Sequence, residues 1–395
     1  MVTQEWDIVL LLIATVAGYV LGRTSGHRVG KKDFSPDPSR LQSLIQWFDL
    51  HNESDIQNLL QKLEVTSETL ETHLAIALMF RKKGEFTKSI AIHQNIFGRP
   101  NVETEVNHRV QFELACDFLS MGMMTRAEGL FSELIDNQSF LKFKSIEKLV
   151  HIYDSERDWA NCVRIGEMFG RKIKHEQALA LSHHYCELSL IAKNNQYVLD
   201  SERFLKKALA HNSQNARVWL LYASNESSKG NNKTAFNMTI KAAEKCPAFM
   251  SEILPKAYEY AKASGNEHKY NVFLGKLLVK YPLSSVQLAQ VEYNYIQRPD
   301  APLDLSDLYK VDVPSRKVVS RIISSYRQVA NTPNTIPVIF DWLTVVLSQD
   351  PRFQCKSCGY ESSTHTWQCP QCKQWDSVQD REDRLQLMNN NQVHL

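Results

Sequence analysis

At 395 residues the chain is too long for one compact core and implies two or three domains or a repeat array. Lysine plus arginine number 46 against 44 aspartate plus glutamate, a net charge of +2, which leaves no global field to recruit nucleic acid. Hydrophobic content of 43% is ordinary for a folded protein, while 14 glycines fall well below the usual share of about 7%, a balance that points to helices.

The first element is Ile8 to Leu21, an uncharged run preceded by Glu5, Trp6 and Asp7 and followed by Arg23, His27, Arg28, Lys31 and Lys32. Helical rise of about 1.5 Å per residue makes the run short for a hydrocarbon core of about 30 Å, so length alone is ambiguous. A cleaved signal peptide would carry its cations before the run, and here the order is reversed. The positive-inside rule therefore predicts an uncleaved anchor over residues 1–22, with its N-terminus outside and the bulk of the chain cytoplasmic. Residues 23–40, with Gly26, Gly30, Pro36 and Pro38, read as a basic juxtamembrane linker.

From residue 41 to 282 the pattern is helical and repeats. Aligned on the residue that turns a first helix into a second, Gly84, Gly122, Arg157, Gln196, Gly230 and Gly265 fall at intervals of 38, 35, 39, 34 and 35. Small residues recur seven before the turn (Ala77, Ala115, Ser189, Ala223) and five after it (Ser89, Ala127, Cys162, Ser201, Ala235), where two helices must approach closely. Phe80, Phe118 and Tyr153 stand four before it, filling the groove between helices. Pro247 and Pro282 stand where second helices should stop. A period near 34 with this spacing, clearest in Trp219-Leu-Leu-Tyr-Ala223, is the tetratricopeptide pattern, with a weaker leading unit around Trp47, Leu59 and Leu63. The fold class is thus an all-α helical-hairpin solenoid, whose concave face is a platform for protein or peptide partners.

Residues 283–350 lose the register and read as a degenerate capping segment. Ser315 to Ala330 is amphipathic, and Ile336 to Leu347 is apolar nearly all round, suited to capping the array and docking a C-terminal module. Residues 351–379 hold Cys355-Lys-Ser-Cys358-Gly359 and Cys369-Pro-Gln-Cys372. Two Cys-x-x-Cys pairs so close can surround one tetrahedral ion, with Gly359 relieving the first turn, so Cys355, Cys358, Cys369 and Cys372 are the predicted ligands of one iron or zinc ion. Two disulfides are the alternative, disfavoured in a reducing cytoplasm. Residues 380–395, charged and Asn-rich without apolar period, read as a disordered tail.

Catalytic signatures are absent: there is no phosphate-binding glycine loop, no H-E-x-x-H and no G-x-S-x-G. His73, His93, His183 and His184 lie in helical repeats and read as partly buried or solvated residues rather than ligands, as Cys116, Cys162, Cys186 and Cys246 read as small core residues. The chain reads as a non-enzyme. A closed four-cysteine cage suits structure rather than Lewis-acid catalysis, iron in it would be redox-active, and the balanced charge around it disfavours nucleic acid.

The C-x2-C-G-Y and C-P-x-C pairs, with Phe353 ahead and Trp367 just before Cys369, resemble rubredoxin-type knuckles. The order of anchor, repeats and knuckles resembles the lipopolysaccharide assembly protein B family of Gram-negative bacteria, as do Phe80-Arg-Lys-Lys-Gly84-Glu85, His184-Tyr-Cys-Glu-Leu188, Asn215-Ala-Arg217-Val218 and Trp367-Gln-Cys-Pro-Gln-Cys372. The resemblance implies a cytoplasm-facing inner-membrane adaptor that regulates lipopolysaccharide synthesis by helping an FtsH-type AAA+ protease degrade the deacetylase of the lipid A pathway. A lipopolysaccharide-sensing membrane protein, transport proteins and a homo-oligomeric partner are further associations it implies, and the metal ligands carry over to Cys355, Cys358, Cys369 and Cys372. Turns at Arg157 and Gln196 depart from the family in lacking glycine, and no partner-contact residues are transferred. A membrane-tethered electron carrier and a general envelope-assembly scaffold are the alternatives.

Overall fold

The computed structural model describes residues 69–99, 102–297 and 351–393, together with the helical positions Val319 and Arg321. The expected anchor at 1–22, the linker at 23–40, the leading repeat before residue 69 and the apolar helix at 336–347 lie outside the described residues. Among those described, no helix is long and apolar enough to cross a membrane. The chain divides into two compact units, Met1–Leu141 and Lys142–Leu395.

In the first unit, α1 (Leu70–Lys82) and α2 (Phe86–Ile96) form one hairpin, and α3 (Thr104–Ser120) and α4 (Met124–Asp136) another. Leu70, Leu74, Ile96 and Val110 are buried together, and Phe112 meets Phe131 edge-on with ring centroids 5.4 Å apart. The second unit continues with α5 (Lys142–Glu156), α6 (Trp159–Gly166), α7 (His175–Asn194), α8 (Val198–His211), α9 (Ala216–Ser228) and α10 (Asn232–Lys245). A 3-10 turn at Pro247–Phe249 leads to α11 (Met250–Ala263), α12 (Glu267–Lys280) and α13 (Ser284–Gln297).

Each predicted turn residue takes the left-handed backbone, with φ +82° at Gly84, +80° at Gly122, +58° at Arg157, +64° at Gln196, +84° at Gly230 and +63° at Gly265. The hydrogen bonds explain the recurrence. In every case the N–H of the residue after the turn donates to the carbonyl four before it: Glu85 to Phe80, Met123 to Phe118, Asp158 to Tyr153, Tyr197 to Ala192, Asn231 to Glu226 and Asn266 to Ala261, all at 2.8 to 2.9 Å. This is the Schellman closure, which satisfies the orphan carbonyls of the first helix and reverses the chain. Ala77, Ala115, Ser189 and Ala223 before the turns and Ser89, Ala127, Cys162, Ser201 and Ala235 after them are all buried, so the helices of each hairpin meet at small side chains. Helices α10 and α12 end at Lys245 and Lys280, just ahead of Pro247 and Pro282.

The C-terminal residues differ from the sequence reading in two ways. Helix α13 comes directly after Pro282, with Leu283 and Val286 fully buried in the same core as α11 and α12, so regular packing runs on into the segment read as degenerate. The tail read as disordered is instead helix α14 (Arg381–Val393), whose Leu387 packs on that core. Its order comes from polar side chains: fully buried Asp383 accepts the Ser285 N–H at 2.9 Å, and Gln386 accepts the Ser284 N–H at 2.7 Å. No apolar period could announce contacts of that kind.

Candidate metal centre

Between α13 and α14 lies a three-stranded antiparallel sheet, β1 (Phe353–Cys355), β2 (Glu361–Ser362) and β3 (Val378–Asp380), in the order β2-β1-β3. It presents the cysteine pairs in matching knuckles. In the first, Gly359 N–H donates to Cys355 O at 3.1 Å and Cys355 N–H to Tyr360 O at 2.7 Å. In the second, Lys373 N–H donates to Cys369 O at 2.9 Å and Cys369 N–H to Gln374 O at 3.0 Å. Gly359 and Lys373 occupy the same left-handed position, φ +78° and +60°, so the second knuckle accepts a strained lysine where the first has glycine.

All four cysteines are free thiols, and their sulfurs lie within 4.8 Å of one another. Cys355 Sγ is 3.7 Å from Cys372 Sγ, and Cys358 Sγ is 3.6 Å from Cys369 Sγ. A tetrahedron with metal–sulfur bonds of about 2.3 Å has edges of about 3.8 Å, so these thiols fit a single tetrahedral ion, and the spacing is far too long for disulfides. Cys355 and Cys369 are buried, Cys372 is half-buried and Cys358 is exposed, which puts one corner of the cage at the surface. Burial works against ionisation of Cys355, yet hydrogen bonds from the Ser377 side chain and the Cys358 and Ser357 amides win, and its thiol is pushed down to about 6. An ion therefore finds one ligand that readily becomes thiolate near neutral pH.

The flanks of the second knuckle dock the module onto α7. Trp375 stacks on His183 with centroids 4.6 Å apart and 13° between planes, and meets His184 and Trp159 edge-on. His183 Nε2 lies 2.9 Å from Asp376 Oδ1, off the hydrogen-bonding direction. Burial holds the His183 pKa below the usual imidazole value despite that carboxylate. Gln368 donates to Asp154 Oδ2 at 2.6 Å, and His184 Nε2 donates to Asp154 Oδ1 at 2.8 Å. Burial would raise the Asp154 pKa, but the bonds from His184 and Gln368 hold it below the usual carboxylate range. A second patch is aromatic: Trp367 packs on Phe249 at 5.4 Å, and His365 sits edge-on to Trp367 and Phe249. The sequence reading gave docking to the apolar helix at 336–347; among the described residues the module is held by α5, α6, α7, the turn before α11, and α14.

His73, His93, His183 and His184 are all buried. His93 belongs to a network of the first unit in which fully buried Asp117 accepts from Arg81 Nε at 2.5 Å, from Ser89 Oγ at 2.8 Å and from His93 Nδ1 at 2.5 Å. The serine there bonds the carboxylate and the Ala77 carbonyl rather than the imidazole, so no base activates it as a nucleophile. Motif spacing could not reveal these partners, which stand on different helices.

A family profile described as a rubredoxin metal binding domain matches residues 353–380. Over 383 residues the chain is 24% identical to lipopolysaccharide assembly protein B of Escherichia coli K12, covering 95% of this chain and 97% of that protein. It is 26% identical to the protein of the same name from Haemophilus influenzae, over the same shares of the two chains. The resemblance read from the motifs is therefore borne out along nearly the whole chain. A tetratricopeptide repeat protein structure from Parabacteroides merdae, 12% identical, covers 71% of this chain and 100% of its own at a TM-score of 0.34; the assignment of hairpin repeats rests instead on the turns themselves.

Proposed function

We propose that this chain is a non-enzymatic adaptor in the control of lipopolysaccharide assembly, of the lipopolysaccharide assembly protein B kind. The observation that carries the reading is the docking of a four-cysteine module onto a helical-hairpin platform through Trp375 on His183 and Gln368 on Asp154. Such a molecule has the parts of a binding scaffold whose end-piece depends on a metal. The bound ion, zinc or iron, would be held by Cys355, Cys358, Cys369 and Cys372 and would supply folding free energy to the module. The full-length similarity to proteins named for lipopolysaccharide assembly supports the pathway.

In the same reading, the apolar run at Ile8 to Leu21 anchors the chain in the inner membrane with the repeats facing the cytoplasm. The repeats bring an FtsH-type protease to the lipid A pathway deacetylase. Depleting the protein should then slow deacetylase turnover and raise lipopolysaccharide, and affinity purification from solubilised membranes should recover the protease. Unchanged deacetylase turnover on depletion would overturn the protease link. A second reading, electron transfer, draws on the exposure of Cys358 at the edge of the cage. Colourless, zinc-loaded protein from cells would remove it.

A further inference from the structure

A second group of potential ligands lies in the hairpin of α5 and α6 and the facing helix α7. The donor atoms of Asp154, Cys162 and His184 all lie within 4.8 Å of one another. We propose that Asp154, Cys162 and His184 form a second divalent-cation site of the zinc class, separate from the four-cysteine cage.

The geometry of the imidazole points to a ligand. His184 is 1% exposed, and with Nε2 engaged by Asp154 its Nδ1 has no hydrogen-bond partner. An ion shared with Asp154 would sit at Nε2 in place of the proton of that hydrogen bond, with the ring's proton carried at Nδ1 on the opposite side. The ring is already oriented: Trp159 stacks on it at 5.8 Å and Trp375 meets it edge-on at 5.8 Å. Asp154 is oriented as well, by Gln368 on its second oxygen, the kind of outer support that ligating carboxylates receive.

The cysteine is not explained by packing. At the same place in the other hairpins stand Ser89, Ala127, Ser201 and Ala235, so the helix contact asks only for a small residue. The Cys162 thiol makes one long contact, 3.8 Å to the Val150 carbonyl. Burial and the nearby Asp154 and Asp158 carboxylates keep it protonated without an ion, so loading releases its proton to solvent.

Donor type selects the ion. Sulfur, nitrogen and oxygen together suit zinc or cobalt and exclude calcium or magnesium, which take oxygen alone. Around one tetrahedral ion such donors stand about 3.3–3.8 Å apart, so the His184–Asp154 pair, hydrogen-bonded at 2.8 Å, would open by about 0.5 Å while the Cys162 thiol closes by up to about 1 Å. A cavity of about 180 Å³ borders both Cys162 and His184, with Glu147 and Gln177 on its wall, and leaves room for water or a partner's donor at the fourth position. Gln368 directly precedes Cys369, so the first cage and the second site meet through one residue of backbone.

Full-length protein stripped of metal and titrated with cobalt tests the site, with bound metal counted by mass spectrometry and thiolate-to-cobalt absorption recorded. Wild type should take two equivalents. Cys162→Ala, which places alanine where Ala127 and Ala235 stand in other hairpins, should take one and keep the wild-type circular dichroism. His184→Gln should likewise take one. A single equivalent in wild type overturns the proposal whatever the variants do, as does a second equivalent that survives Cys162→Ala.

Discussion

Asp383, in the last helix, accepts the backbone N–H of Ser285 at 2.9 Å, and its other oxygen accepts the Ser285 hydroxyl at 2.5 Å. A carboxylate 98 residues downstream thus caps the first turn of α13 in place of a local capping residue. Removing it leaves a buried N–H and hydroxyl without an acceptor, so Asp383→Ala should cost about 1–3 kcal/mol. Thermal melts should show the loss, and limited proteolysis should open α14 first. A variant that melts with wild type and protects residues 381–393 equally would show that α14 is held by other contacts.

Removal of the metal should release the module from α7. In so small a unit the metal-binding free energy is folding free energy. Chelation, or Cys355→Ser, should therefore unfold residues 351–380 and unstack Trp375 from His183. Near-ultraviolet circular dichroism and protease sensitivity of the segment report it, while the helical far-ultraviolet signal should persist. Loss of the whole helical signal on chelation would mean that the repeats depend on the module.

Docking and metal binding should separate in Trp375→Ala. The ring packs on His183, His184 and Trp159, and Trp375 is not a ligand, so the ion should stay bound while the module comes loose. Truncation of a half-buried tryptophan should cost up to about 3 kcal/mol. Metal analysis beside a melting curve checks both halves, and loss of the metal would show that docking supports the cage.

Gln196 is an exposed side chain on a left-handed backbone, φ +64°, in a place where four other turns have glycine. A left-handed L-residue costs roughly 1–2 kcal/mol, against roughly 0.5–1 for the extra entropy that glycine loses on folding. Gln196→Gly should thus stabilise the protein by about 0.5–1 kcal/mol, read as a higher denaturation midpoint. A lower midpoint would mean that the glutamine side chain holds the turn.

Acid should weaken the module through His365. Burial pushes its imidazole down to about 4 from 6.5, so in the folded protein it stays neutral where the unfolded chain would take up a proton. The sign comes from linkage: stability is unaffected above about 6.5 and falls as pH drops from there toward about 4, by about 3 kcal/mol in all. His365→Phe should flatten that part of the profile relative to wild type, and the difference cancels any proton-driven loss of the ion common to both. Parallel profiles would show that the imidazole does not carry the effect.

The hairpins and the metal cage were legible because both are local. A turn residue with small neighbours seven before and five after it reports a helix reversal within a single stretch, and even Arg157 and Gln196, without glycine, stood where the left-handed backbone falls. The cysteines likewise declare themselves by spacing, since each knuckle closes through hydrogen bonds within six residues. The helical tail was not legible, because its anchors are the polar side chains of Asp383 and Gln386 rather than an apolar stripe.

Periodicity and ligand spacing alone determined that this protein is an array of helical hairpins with a four-cysteine knuckle, because both arise from hydrogen bonds and donor atoms close along the chain. Only the tertiary structure decided what the histidines do. His183 and His184 read as partly buried or solvated side chains until Trp375, Asp376 and Gln368 arrived beside them, about 190 residues later in the chain, and until Cys162 and Asp154 faced the second ring. Side chains on separate helices leave no common period in sequence, since their meeting is set by how the helices stack.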